Sequence, residues 1–312
     1  MIGVIADDLT GAAELGAVGL RHGLSAEIIR AGKPSGTADL VCVDTDSRSC
    51  EPAAAGKRAA AAAKMLRTAG AEWIYKKVDS VLRGQVTAEV EAVLRQLRLD
   101  RALLLPANPS LGRTIRDGQY FVHGKPINKT EFARDPEYPR RSAQVVRLLQ
   151  APEKFLLRVV NGDRTLSDGT IVIGEASTSA DVQDWATFRS ANMLPAGGSE
   201  FFGALLRCAV DNAPANSLSA EVLRSESAES NAASIGEREF FISGTSTQEA
   251  RQFAVTAKHN KTPVFALPQE LAWGAEFTSA AVTSVAQRVV AGFDHHSRVI
   301  LTVGLPSVRN VE

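Results

Sequence analysis

Ile2-Gly3-Val4-Ile5-Ala6-Asp7-Asp8-Leu9-Thr10-Gly11-Ala12 opens the chain with a short apolar run, two carboxylates and the start of a helical pattern. An apolar strand ending in polar residues where a helix begins is the first unit of an α/β sheet, and such sheets bind ligands beyond the carboxyl ends of their strands. The succession recurs. Apolar runs at Ile2–Ala6, Ala26–Arg30, Leu40–Asp44, Trp73–Lys77, Ala102–Pro106 and Thr170–Gly174 alternate with helical patterns at about Thr10–His22, Pro52–Ala69, Gln85–Leu97 and Ala180–Ala191. The alternation predicts α/β architecture, a parallel-type sheet with helices on both faces.

At 312 residues the chain exceeds the size at which one core usually stops growing, so two domains are expected. Residues 212–236 are polar, small and aperiodic, which reads as a linker between a domain at 1–211 and a smaller α/β unit at 237–312. Lys and Arg together number 35, as do Asp and Glu, and this neutral balance argues against nucleic acid or anionic membrane as a partner. Cys42, Cys50 and Cys208 are too scattered for disulfides or metal spacing and read as buried free thiols. No run is long enough to cross a bilayer, and Asp7 and Asp8 interrupt the N-terminal run where a signal peptide would stay apolar, so a cytoplasmic protein is expected.

Three strand ends carry the same polar classes. At the first, Asp7 and Asp8 suit substrate hydroxyls or general-base chemistry, although Asp8 or Thr10 as a helix cap explains the residues equally well. At the second, Asp44-Thr45-Asp46-Ser47-Arg48 mixes carboxylates with a guanidinium. At the third, Lys76-Lys77-Val78-Asp79-Ser80-Val81-Leu82-Arg83-Gly84 places cations beside a helix start, as a carboxylate pocket requires; a solvated charge cluster is the plainer alternative. Strand alternation sends the two lysines to opposite faces.

From Pro106 to about Ser142 the pattern breaks into a Gly-, Pro- and Arg-rich insertion. Asn108, Arg113, Asp117 and Asp135 there are candidates to fold over a ligand, and Asp117-Gly118 and His123-Gly124 mark hairpin turns. Pro195-Ala196-Gly197-Gly198-Ser199 reads as a small-residue turn before a helix. Ser243-Gly244-Thr245-Ser246-Thr247 is a hydroxyl-rich turn that suits phosphate, with Thr247 as an ordinary cap the alternative. No P-loop pattern and no paired-histidine metal motif occurs.

Taken in order, IADDLTGAAELG, DTDSRS, YKKVDSVLRGQVTAEVEAVL, PANPSLGRTIRDGQYFVHGKPI, EFARDPEYP, LPAGGSEFFGAL and ISGTSTQEA resemble the ordered blocks of the four-carbon acid sugar kinases. The resemblance implies ATP-dependent phosphorylation of threonate, erythronate or 3-oxo-tetronate, with Mg²⁺. It assigns Asp7, Asp8, Asp46, Ser47, Arg48, Lys77, Asp79, Ser80 and Arg83 to the sugar acid and gives residues 243–247 to the nucleotide; Asn108 and Arg113, candidates from the insertion, are expected beside the sugar acid. Asp8, with Asp7 close behind, is the expected base. A homodimer is among the expected assemblies.

The family's C-terminal Gly-Gly-[acid]-Thr nucleotide loop has no counterpart in these 312 residues, and Ala250 and Phe253 stand where the family has Thr and Gln. A shortened kinase is therefore expected. The alternative is a non-catalytic sugar-acid binding or sensing protein.

Overall fold

The computed structural model describes residues 1–150, 157–160, 171–188, 190, 192–211, 238–244, 248–268 and 279–302. The chain divides into two compact units, residues 1–227 and 228–312. Residues 212–236, expected as a linker, lie outside the described residues.

In the first unit the order is β1 (Ile2–Ala6), α1 (Leu9–Arg21), β2 (Ala26–Ile29), β3 (Leu40–Asp44), α2 (Pro52–Thr68), β4 (Trp73–Lys77), α3 (Val86–Leu97) and β5 (Arg101–Leu105). A meander β6 (Arg113–Arg116), β7 (Gln119–Val122) and β8 (Lys125–Pro126) follows. After it come α4 (Val145–Leu148), β9 (Leu157–Val160), β10 (Ile171–Gly174), α5 (Ser179–Ala186), β11 (Met193–Gly197) and α6 (Ser199–Asp211). Eight strands form one sheet in the order β2-β3-β1-β4-β11-β5-β10-β9, and every pairing in it is parallel.

Strands covered on both faces lose polar alternation, and β3, β10 and β11 are buried at every residue. The two faces declare themselves at β4. Lys77 reaches Glu14 on α1, whereas Lys76 reaches Glu89 on α3, so the helices carrying those acids lie on opposite sides of the sheet. From β1 the chain goes out to β2, returns through β3 and then crosses to β4 on the other flank of β1. That reversal makes the carboxyl end of β1 a topological switch point, the place where open α/β sheets bind ligands.

The predicted hairpin turns are present. Asp117 and Gly118 (φ 50° and 70°) and His123 and Gly124 (φ 48° and 75°) are left-handed and close the antiparallel meander. β11 is a correction: Met193-Leu-Pro-Ala-Gly197 is a central strand, although its Pro and Gly read as a turn. Pro cannot donate to a ladder, and β11 meets β4 only through Ala196 and Gly197 while pairing with β5 along its full length. β9 was not anticipated either. The helix expected to reach Ala191 ends at Ala186, where Thr187 turns its hydroxyl back to the Asp184 carbonyl at 2.7 Å.

The second unit holds β12 (Glu239–Ser243), α7 (Gln248–His259), β13 (Val264–Ala266), α8 (Ser279–Gly292) and β14 (Arg298–Thr302), with the parallel order β12-β14-β13. Of the thiols only Cys42 is buried, and burial pushes its pKa up to about 12; Cys50 and Cys208 are half-buried. No helix among the described residues is long and apolar enough to cross a membrane.

Candidate active site

Three local turns bring the strand-end residues together. Asp8 caps α1, its carboxylate accepting the Gly11 N–H at 2.7 Å. After β3, the Asp44 carboxylate accepts the Asp46 N–H at 2.8 Å and Asp46 takes a left-handed φ of 46°, which Asp tolerates better than most residues. The reversed chain then hydrogen-bonds Ser47 and Arg48 N–H to the Asp7 carbonyl at 2.9 and 3.2 Å, placing Arg48 over the end of β1. After β4, the Asp79 carboxylate gathers its own loop by accepting N–H groups of Val81 and Arg83 at 3.1 and 3.0 Å.

The result is a continuous charge network. Arg48 forks onto Asp7 (Nε–Oδ2 2.7 Å, Nη2–Oδ1 3.1 Å), reaches Asp8 with Nη1 at 2.7 Å and approaches Asp79 at 3.7 Å. Arg83 forks onto Asp79 at 3.0 and 2.8 Å and faces Asp135 of the insertion at 3.6 Å. Asp7 and Asp79 form the buried back of this group, while Asp8, Arg48 and Arg83 keep 26%, 18% and 32% of their side chains open to solvent. Gly84 (φ 83°) passes so close that a Cβ there would lie 3.1 Å from Asp7 Oδ2.

Burial raises the Asp8 carboxyl above its ordinary value; the Asp7 charge adds to this, and Arg48 and the Gly11 N–H only partly offset it. Asp79 goes the other way. Burial alone would raise it, but the hydrogen bonds and charge of Arg83, with Arg48 behind, hold it well below the usual carboxylate range.

The other expected site residues are placed as follows. Ser47 is fully buried beneath the network, donating to Glu89 at 2.5 Å, and Lys77 is buried against Glu14 and the Val78 carbonyl. Asp46 points out, beside Arg58 at 3.9 Å. Ser80 is half-buried, and its carbonyl accepts the Tyr120 hydroxyl. Asn108 bonds the Ser199 hydroxyl at 3.1 Å, at the start of α6. Arg113 turns to the Leu111 carbonyl at 2.6 Å, with its guanidinium 5.9 Å from the Phe132 ring centroid.

In the second unit Ser243 ends β12 and Gly244 is exposed; Thr245, Ser246 and Thr247 lie outside the described residues. Among the described residues no three His, Cys, Asp or Glu converge as a metal site.

Sequence reasoning missed four partners. Glu14 and Glu89 look like helix-surface acids until the strand lysines beneath them are known. Tyr138, which donates to the Arg48 carbonyl, and Arg140, which donates to the Leu82 carbonyl at 3.1 Å, pin the insertion to the site; their only trace is their position just after Asp135-Pro136.

Carboxylates outnumber guanidiniums here, which suits a polyhydroxylated ligand: its hydroxyls donate to Asp oxygens while an acid group, if it carries one, meets Arg48 and Arg83. Fold and site together define an open parallel α/β sheet with a cluster of carboxylates and guanidiniums at the carboxyl ends of its strands. The chain belongs to the family described as the sugar-binding N-terminal domain, whose model matches residues 2–204. Its relatives include a D-threonate kinase of Salmonella typhimurium, 37% identical over 47% of this chain and 35% of that one. A D-erythronate kinase of Heliobacterium modesticaldum is 30% identical over 68% and 50%, and a 3-oxo-tetronate kinase of Pseudomonas savastanoi is 33% identical over 52% and 40%. The chain thus spans about a third to a half of the length of the curated relatives it matches.

Among solved structures, a Haemophilus influenzae protein aligns with 97% of this chain and 75% of its own at TM-score 0.68 and 20% identity. A Bordetella bronchiseptica domain of unknown function, a domain-swapped dimer with bound citrate, aligns with 100% and 76% at 0.59 and 22%. These likenesses support the fold.

Proposed function

We propose that this chain is an ATP-dependent four-carbon acid sugar kinase, or a shortened form of one, acting on threonate, erythronate or 3-oxo-tetronate. The observation that carries the reading is the Arg48 guanidinium joined to carboxylates from two neighbouring strand ends, Asp7 and Asp8 after β1 and Asp79 after β4. In this reading residues 1–211 hold the substrate and residues 237–312 belong to a nucleotide-type domain. ATP and Mg²⁺ enter through the kinase names of the relatives, and a cytoplasmic dimer is the accompanying expectation.

Within the site, Asp7 holds Arg48 in place and Asp8 is the base. Asp7 is buried and engaged by both of its oxygens, whereas Asp8 is partly open and its raised proton affinity suits accepting a proton from a substrate hydroxyl. Arg48 and Arg83 orient the acid group so that the terminal hydroxyl lies at Asp8.

Calorimetric titration of the chain with D-threonate, D-erythronate and ATP-Mg²⁺ tests the proposal. Tetronate binding is expected, with at least about tenfold loss in Arg48→Ala, since one charge-assisted bond is worth roughly 1.5–3 kcal/mol. No tetronate binding would overturn it. Ala250 and the exposed Phe253 on α7 favour one second reading, a sugar-acid binder without phosphoryl transfer. Tetronate binding with no nucleotide affinity selects that reading.

A further inference from the structure

Ser47, Glu89 and Lys76 form a second polar group, wholly buried, beneath the turn that carries Arg48. Ser47 is 0% exposed, and Glu89 and Lys76 are each 1% exposed. They come from three different elements: Ser47 from the loop after β3, Lys76 from β4 and Glu89 from the first turn of α3. Lys76 Nζ lies 2.8 Å from Glu89 Oε2 and donates to the Lys77 carbonyl at 2.6 Å, while Glu89 Oε1 accepts the Ser47 hydroxyl at 2.5 Å. Ser47 has one hydroxyl hydrogen, and Glu89 takes it. Towards Thr45, whose Oγ1 is 2.6 Å away, Ser47 is therefore the acceptor.

A buried ion pair is a poor device for stability alone. Desolvating both charges costs about as much as their attraction gives back, and apolar residues of similar volume often leave a protein as stable or more so. What such a pair does supply is a fixed geometry, and the turn above it needs one. Asp46 holds a φ of 46°, and a non-glycine residue stays in the left-handed region only where its surroundings over-determine it. On the residue before this bend but one, the Asp44 carboxylate accepts the Asp46 N–H; on the residue after it, Ser47, the hydroxyl is tied to Glu89. Held in this way, the chain delivers the Arg48 N–H to the Asp7 carbonyl and the Arg48 guanidinium to Asp7 and Asp8.

We propose that Ser47, Glu89 and Lys76 are positioning residues for Arg48. Lys76 keeps the Glu89 carboxylate charged and in place, Glu89 anchors the Ser47 hydroxyl, and that anchor fixes the turn from which the guanidinium meets the acid group of a ligand. The effect on a ligand rests on the tetronate reading of the site, whereas the anchoring of Arg48 does not.

The test reads the two separately. In NMR spectra of the isotopically labelled full chain, the Arg48 Nε–H, forked onto Asp7, is expected as a slowly exchanging signal, assigned by its absence in Arg48→Lys. In Ser47→Ala, and in the apolar pair Lys76→Met with Glu89→Leu, its exchange should quicken by about tenfold or more while the amide of Leu104 on β5 keeps its parent rate. A merely structural role moves both signals alike. Unchanged exchange at Arg48, or equal acceleration at Leu104, overturns the proposal.

D-threonate and D-erythronate are then titrated by calorimetry. Affinity should fall by about fivefold or more in each variant, with no further loss when the same change is made in Arg48→Ala, because residues that act through one group are not additive. Losses that multiply with that of Arg48→Ala count against a role exerted through Arg48 and overturn it. If the parent chain binds neither tetronate, the kinase reading falls and the Arg48 exchange rates still decide the positioning role. If the apolar pair fails to fold, Ser47→Ala carries both measurements.

Discussion

Asp8 is at once a helix cap and a member of the charge network, and the two roles predict different responses to one substitution. Asn caps a helix about as well as Asp, so Asp8→Asn keeps the Gly11 bond. Because burial raises the folded-state pKa of Asp8, the native protein binds an extra proton between the unfolded value near ~3.9 and the folded one, and stability falls as pH rises through that window. Asp8→Asn is therefore expected to be at least as stable as the parent at pH 7 in thermal melts, while under the proposed kinase reading phosphoryl transfer to a tetronate drops by about 10²-fold or more.

Asp79 carries the opposite sign. Its depressed pKa contributes stability that is present above ~3.9 and lost as pH falls through the folded value. Asp79→Asn should cost about 2–4 kcal/mol at pH 7 in denaturant titration, toward the low end because Arg83 stays 32% exposed, and should flatten the acid limb of the stability profile. A variant as stable as the parent at neutral pH would refute this account of the buried pair.

At the scale of elements, β1, β3, β4 and β5 were legible because each is a nearly unbroken apolar run closed by polar residues. β11 was not, because its Pro195, Gly197 and Gly198 mimic a turn. The glycine that hid the strand is also the residue that permits it. A Cβ at Gly197 would stand 2.1 Å from the Leu105 carbonyl oxygen on the neighbouring strand, and no rotamer relieves a backbone contact. Gly197→Ala is expected to destabilise by about 3 kcal/mol or more by chemical denaturation, where most single changes cost about 1. The charge cluster was half legible in the same way. Asp7, Asp8, Arg48, Asp79 and Arg83 announce themselves by type at strand ends. Asp46 was of the right type but faces out, since the left-handed turn that delivers Arg48 turns its own side chain away.

For the whole molecule, the two units differ in what holds them together. The first is built on one extensive buried core running through its sheet and helices, whereas the buried cluster of the second, among described residues, is Val285, Val289 and Val299. Cooperative stability grows with the apolar area buried, so calorimetry on the full chain should show two transitions, the smaller unit melting first. A single transition with equal calorimetric and van't Hoff enthalpies would count against that. The sparse second core was not visible in the sequence, because its strands are as apolar as those of the first.

Lys76 and Lys77 give the fold one more property. Consecutive lysines in an open segment are an obvious place for a trypsin-like protease to cut and for amine reagents to acylate. Here each amine is buried and spoken for, one by Glu89 beneath the sheet and one by Glu14 above it, in a strand flanked on both sides. The dipeptide that looks most vulnerable on paper is thus a rivet through three layers, chemically silent until the domain itself comes apart.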